Sequence, residues 1–295
     1  MYNRGLEFSL TSYNITKPNF SWTTNFNFTT IKNEVTELAP GVDEIRTSTG
    51  GLETTNITVV GKPVGNILVV ETRGVDPATG RRIYVNKAGK EVLYDHSAAS
   101  KWTYKSDGAV SPAINTANDG IPYASPLPKF YGGIDNTLSY KNFDFTLNMT
   151  YAFGFYVYCG SKAGIRDQRW WNNSVEVYET AWKKPGDVTN IPRPVMNDNV
   201  SNGSAFAISE NVEKGDYLKI RNISLGYTFT NIWQDVLNIQ SLRIYGQVFN
   251  PYVFTKYSGS DPEVSTNTDS NFAPGIDRNT APQARTFTFG VNVSF

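Results

Sequence analysis

The sequence predicts an all-β chain whose strands are long enough to cross a membrane, and three observations carry that reading. Alternation of apolar and polar residues at period two recurs along the whole 295-residue chain. The connections between alternating runs are short and long by turns. Aromatic residues make up 14% of the chain while charged residues make up only 18%, against ~25% in a typical soluble domain.

Taken in order, Gly5–Ser12 sets Leu6, Phe8 and Leu10 against Glu7, Ser9 and Thr11. Phe20, Trp22, Phe26 and Phe28 then alternate with Ser21, Thr23, Asn25 and Asn27. The clearest run sets Phe143, Phe145, Leu147, Met149, Tyr151 and Phe153 against Asp144, Thr146, Asn148, Thr150 and Ala152. The last sets Phe287, Phe289, Val291, Val293 and Phe295 against Thr286, Thr288, Gly290, Asn292 and Ser294. Further strands are expected near Asn56–Lys62, Asn66–Arg73, Phe130–Tyr140, Tyr217–Phe229 and Leu242–Phe254, for a total of about nine. An eleven-residue strand such as Phe143–Phe153 extends ~36 Å and, tilted by ~40°, spans ~27 Å of height. That is close to the ~25 Å apolar band of an outer-membrane barrel. Period alone leaves a soluble β-sandwich equally open.

Loop lengths tilt the balance towards the barrel. Ile15–Pro18, Tyr140–Asn142 and Gly61–Gly65 are short, whereas Lys32–Thr55, Gly74–Lys129, Gly154–Asp216 and Thr255–Arg285 are long. Short turns at one end and long loops at the other mark a transmembrane barrel, and a compact sandwich has no reason to segregate them. Within Thr230–Gln240, Ile232, Val236 and Ile239 are spaced for a short amphipathic helix on the turn side.

The rest of the composition removes other classes. Lys+Arg 27 against Asp+Glu 27 leaves zero net charge, so no global field draws the chain to nucleic acid. No apolar run approaches the ~20 residues of a spanning helix. One Cys and one His exclude an internal disulfide framework and leave little for a zinc site. His96 sits in a polar loop and Cys159 at the outer end of a strand. Neither has a partner at catalytic spacing, so no enzyme is expected and no cofactor is called for. Asp187, Asp198, Asp261, Glu263 and Asp277 read as turn residues before they read as calcium ligands. Asn148-Met149-Thr150 reads as lumen-face polarity rather than a glycosylation acceptor.

The C-terminal octapeptide resembles the signal by which the bacterial barrel-assembly machinery recognises a last strand, carried by Thr288, Gly290, Val293 and the terminal Phe295. The chain as a whole resembles the SusC/RagA family of TonB-dependent outer-membrane transporters. The resemblance rests on ordered blocks: Arg4–Leu10 with Phe20-Ser21-Trp22, Gly74–Gly80, Pro126–Gly133 with Tyr140–Phe145, Gly215–Tyr227, Asn250-Pro251, Thr255–Glu263 and Arg285–Gly290.

That resemblance implies a C-terminal sector of a TonB-dependent-transporter β-barrel over residues 1–295, with extracellular long loops and periplasmic short turns. Nothing in the chain matches a signal peptide, TonB box or plug domain. The expected product is therefore the barrel portion of an oligosaccharide or peptide importer, from a truncated or split gene and not competent alone. Implied partners are a SusD-like lipoprotein, the remaining barrel and plug, TonB–ExbB–ExbD through that plug, the assembly machinery and the lipid bilayer. The alternative is a surface or soluble β-sandwich that binds glycans.

Four aromatics in one long segment, Trp170, Trp171, Tyr178 and Trp182, are the candidates for substrate or partner contact. A flat ring can stack on a sugar, anchor an interface, or pack a loop against its neighbours. All three uses stay open on sequence.

Overall fold

The computed structural model describes residues 1–50, 53–170, 172–233 and 239–295. Seven strands form one sheet: Tyr2–Lys17, Phe20–Glu34, Phe130–Tyr140, Phe143–Phe153, Tyr217–Trp233, Ile239–Thr255 and Thr286–Ser294. They lie side by side in chain order, each antiparallel to the next. Among the described residues the sheet does not close, so its first and last strands each pair on one side only.

Register turns the sequence alternation into two faces. One row reads Phe8–Phe28–Gly132–Tyr151–Leu218–Phe254 from strand to strand, and the adjacent row reads Ser9–Asn27–Gly133–Thr150–Lys219–Val253. A one-residue slip would exchange the two faces, so the apolar pattern pins the register. The apolar face is not covered by a second sheet: Phe143 is 47% and Phe289 85% exposed. A sandwich would have buried them. Gly132 is required where Tyr151 crosses it, because a Cβ there would lie 2.6 Å from the Tyr151 hydroxyl. That hydroxyl donates to the Asn27 carbonyl at 2.9 Å.

Two of the nine expected strands lie outside this wall. The segments near Asn56–Lys62 and Asn66–Arg73 build a separate four-stranded sheet from Glu44–Thr49, Glu53–Val59, Asn66–Val70 and Gly120–Ala124. The short Gly61–Gly65 link is therefore a hairpin of that sheet, not a turn of the wall. The expected helix around Ile232, Val236 and Ile239 is corrected in part: the wall strands run to Trp233 and resume at Ile239. Val236 lies outside the described residues.

The wall's short turns, after Lys17 and after Tyr140, adjoin each other, with Lys141 N–H donating to Asn19 O at 2.9 Å. Residues 35–129, 154–216 and 256–285 leave the opposite end. These long segments do not remain irregular. They add two further small sheets, one of Thr72–Val75, Arg82–Val85, Glu91–Tyr94 and Trp102–Tyr104, the other of Tyr156–Cys159, Val212–Lys214 and Ile276–Asp277. Every residue of Asn66–Val70 is buried. Val70 packs with Tyr84, Val92, Tyr94, Ile114, Phe206 and Ile208. Ile67 and Val69 pack with Tyr158, Ala207 and Ile276. All three long loops thus share one outer cluster with a genuine core, seated on the loop end of the wall.

Candidate functional site

The polar face of the wall and the loop cluster above it form the candidate site. Near the short turns the polar face is neutral or internally paired. Arg243 holds Asp144 through two hydrogen bonds, one from Nε to Oδ1 at 2.9 Å. The guanidinium also lies 4.6 Å from the centre of the Tyr245 ring, a cation–π geometry. Gly226 makes the room, since a Cβ there would meet Asp144 at 2.5 Å and Arg243 at 2.6 Å. Above this, Asn148 donates to Asp135 at 2.7 Å and accepts from Asn222. Asn148 and Thr150 thus stand in the polar, hydrogen-bonded rows of the sheet.

At the loop end the wall carries its strongest electrostatic feature. A β-bulge puts Arg221 out of register between Ile220 and Asn222, and so on the same face as Lys219. Lys219 Nζ reaches Asp261 at 2.7 Å and Glu263 at 2.8 Å, with both Lys219 and Asp261 almost fully buried. Arg221 also pairs with Glu263 and donates to Thr150 Oγ1 at 2.7 Å. Tyr217 donates its hydroxyl to Glu263 at 2.7 Å. Burial works against the Glu263 carboxylate, but the hydrogen bonds from Arg221, Lys219 and Tyr217 outweigh it and hold its pKa below the usual range. The network fastens the third long loop down onto the wall. Sequence reading missed it, although two cations two residues apart and two acids two residues apart were complementary.

Within the outer cluster Arg82 is completely buried and donates to the carbonyls of Ser201 and Asn190 at 2.8 Å each, tying the first loop to the second. Asp198 accepts from Val200 N and Ser201 N, and Asp187 from Lys183 N and Lys184 N. Asp187 and Asp198 thus hold turns, whereas Asp277 lies in a strand and bridges Tyr257 and Ser161; among the described residues no three His, Cys, Asp or Glu side chains converge as metal ligands. Cys159 packs with Ala152, Phe155, Val157, Tyr217 and Tyr257, and burial pushes its thiol up. His96 Nδ1 pairs with the Tyr94 hydroxyl at 3.0 Å.

Several loop carboxylates share the Glu263 pattern. Burial opposes the charged forms of Asp95, Asp167 and Glu213, yet hydrogen bonds and neighbouring cations keep all three pKa values low. A depressed carboxylate contributes stability that is complete above its unfolded pKa of ~4 and is lost as pH falls through the lower folded value. The protection factors of Asn66–Val70, measured relative to intrinsic exchange, are therefore expected to fall as pH drops below about 4, and to show no loss between about pH 5 and 8. A change confined to the neutral range would contradict this.

The four candidate aromatics are placed differently. Trp182 is only 8% exposed, and its Nε1 donates to Pro77 O at 2.9 Å. Its ring covers Gly80, where a Cβ would come within 2.4 Å, so it locks the second loop onto the Asp76–Gly80 turn. Tyr178 is 82% exposed, on the short helix Val175–Thr180 that Ser174 caps at Val177 N. Tyr178 and one edge of Trp182 line a hollow of about 600 Å³ with Val175, Val177, Lys183 and Pro194. Trp170 is exposed beside Arg169 and does not line it. Trp171 lies outside the described residues. In the last strand Thr288 and Gly290 take the polar face beside Gln247 and Tyr245, while Val293 pairs Leu242 on the apolar face. Phe295 is exposed at the terminus.

No family model matches the chain. Among curated proteins it is 30% identical to TonB-dependent receptor P3 of Formosa agariphila, over 99% of this chain and 28% of that protein. It is 26% identical to TonB-dependent receptor SusC of Bacteroides thetaiotaomicron, over 99% of this chain and 26% of SusC. Among solved structures the RagAB peptide importer in its open-open state aligns with a TM-score of 0.72 at 20% identity, covering 99% of this chain and 28% of that one. That last likeness establishes the fold, a wall of this architecture with these outer sheets. Along essentially its whole length the chain matches TonB-dependent receptors of the SusC/RagA type, and it spans less than a third of the relatives it matches.

Proposed function

We propose that the chain supplies wall and surface loops to an outer-membrane importer of oligosaccharides or peptides. The observation that carries this is the uncovered apolar face on a single seven-stranded sheet, combined with the match to TonB-dependent receptors. The apolar face meets lipid, the polar face lines the lumen, and the loop cluster faces outward. Transport needs the rest of the barrel and a plug. The Tyr2–Lys17 and Thr286–Ser294 edges offer unpaired backbone that hydrocarbon cannot satisfy. Energy would reach such a plug from TonB with ExbB and ExbD. The chain is thus a contributor of structure and contacts, with no chemistry of its own.

The hollow between Tyr178 and Trp182 is the favoured contact for cargo or for a SusD-like lipoprotein. Val175 and Tyr178 are exposed on one helix face, as an interface anchor requires. Expression of this chain alone in a host lacking other SusC-like proteins is expected to give no energy-dependent uptake of oligosaccharides or peptides, and measurable uptake would overturn the reading. Tyr178→Asp, in a complete transporter containing this segment, is expected to weaken lipoprotein capture at least about tenfold, the cost of one interface hot spot. Unchanged capture would remove Tyr178 from that role.

A further inference from the structure

The apolar face of the wall is interrupted. One strand-to-strand row reads Ser12–Thr24–Asn136–Leu147–Ile223–Val248–Phe287. Its last four members are apolar, as lipid contact demands, and its first three are not. The polar three belong to a connected island. Ser12 donates to Asn14 Oδ1, Asn14 Nδ2 donates to Thr24 Oγ1, and Thr24 donates to Asn136 Oδ1, each at 2.8 Å. Trp22 Nε1 donates to the same Asn136 oxygen at 3.0 Å. The Asn14 side chain reaches this face because the register shifts between Tyr13 and Ile15. Leu10, Phe26, Ile134, Leu138 and Leu147 surround the island by register.

The hydrogen bonding is one-sided. Asn136 accepts twice through its oxygen and donates neither amide hydrogen to any described residue. The island therefore presents donors to whatever lies against the wall, and uncompensated polar groups are costly in hydrocarbon. Trp22 and Thr24 stand two and four residues from Phe20, which places them ~5 and ~10 Å above the short turns at ~3.3 Å per residue and ~40° tilt. The polar boundary of a bilayer is ~5–7 Å thick per side, so the island straddles the depth where headgroup gives way to acyl chain.

Directly below it are two cations. Lys17 is opposite Phe20 in register, on the apolar face, and Lys141 Nζ lies 5.5 Å from the centre of the Tyr140 ring. Both lysines are exposed, and neither has a carboxylate in ion-pair range among the described residues.

We propose that Lys17, Lys141 and the Asn14–Thr24–Asn136–Trp22 island form a binding site for a phosphoglyceride of the turn-side leaflet. The lysines take the phosphate, the Asn136 and Asn14 amides donate to the ester carbonyls, and the acyl chains lie along Leu10, Phe26 and Ile134 in the next deeper row. Cations at headgroup level with amide donors one step deeper match the order of groups along such a lipid. A docked protein surface would not require that order.

The test uses a complete transporter containing this 295-residue segment, purified in a neutral detergent and examined by native mass spectrometry. Separate arms offer a phosphatidylglycerol, the diacylglycerol with the same chains, and inorganic phosphate. A retained phosphatidylglycerol adduct is expected, with weaker diacylglycerol retention and none of inorganic phosphate. Asn136→Leu with Thr24→Val should lower the phospholipid adduct roughly tenfold, through loss of the hydrogen bonds the island donates. Lys17→Gln with Lys141→Gln should bring the two lipids to parity while leaving the island intact. Equal adducts in wild type and both variants would overturn the site. So would retention of inorganic phosphate as firmly as lipid, or loss of self-association rather than of lipid in the island variant. Because the site rests on the membrane-wall reading, partition of this segment's apolar face into lipid vesicles, within the same complete transporter, is scored in parallel. Failure to partition sinks the wall reading, whereas partition without a selective adduct sinks only the site.

Discussion

Lys219→Met is expected to unfasten the third long loop from the wall, with residues 256–285 becoming sensitive to limited proteolysis while the outer core around Tyr84 stays protected. Lys219 contacts both Asp261 and Glu263, and Asp261 is almost fully buried. Glu263 keeps Arg221 and Tyr217 after the substitution, but Asp261 is left as a buried carboxylate without its cation. Breaking a buried pair from one side costs about 3–5 kcal/mol, most of it the desolvation of the orphaned charge. The companion Lys219→Met/Asp261→Asn removes both charges and should recover most of that loss, since a neutral pair of similar volume needs no cation. Equal proteolysis of the single and double variants would show that the lysine acts by packing alone. Proteolysis unchanged from wild type in both would show that the loop is held by its apolar contacts through Tyr257 and Ile276 instead.

The same network shows what the sequence could and could not disclose. Phe143–Phe153 and Phe130–Tyr140 were legible to the residue: in the first, alternation at period two persists for eleven residues, and in the second Ile134 and Leu138 keep it visible although Gly132 and Asn136 break the apolar row. The first strand was legible only over Gly5–Ser12 although it spans Tyr2–Lys17. Its ends, with Asn3, Arg4, Asn14 and Lys17, leave the apolar band and carry no alternation to detect. The outer sheets were illegible for a related reason. Arg82–Val85 and Glu91–Tyr94 are four residues long, too short to separate a strand from a turn, and they are stable because partners from two of the long loops bury them. Asn66–Val70 was visible as a strand, yet its burial on both faces placed it in the cluster rather than in the wall. Ion pairs such as Lys219–Asp261, 42 residues apart, depend on a bulge at Arg221 and a loop path that no local pattern encodes. The aromatics were equally ambiguous: Trp182 and Tyr178 sit four residues apart, one spent on holding Gly80 and one exposed.

Gly290→Val joins these levels, because its consequences differ between the folded wall and the unfolded chain. In the wall a Cβ on Gly290 would lie 2.3 Å from Tyr245 Cζ, so the ring, which crosses from the neighbouring strand, must move. Tyr245 supports the Arg243 guanidinium that holds Asp144 over Gly226, and one displaced ring disturbs contacts on four strands. Overpacking of this kind costs about 1–3 kcal/mol, and the folded fraction in detergent is expected to fall accordingly. Tyr245→Ala/Gly290→Val opens the space again and should restore the folded fraction. Delivery to the outer membrane in cells is expected to remain low in both variants. If Gly290 belongs to an assembly signal with Thr288, Val293 and Phe295, it is read on an extended segment before Tyr245 is in place, so relieving the clash cannot repair it. Recovery of both readouts by the double variant would reduce Gly290 to a steric requirement of the wall, and recovery of neither would mean that the clash with Tyr245 is not what disables the folded sheet.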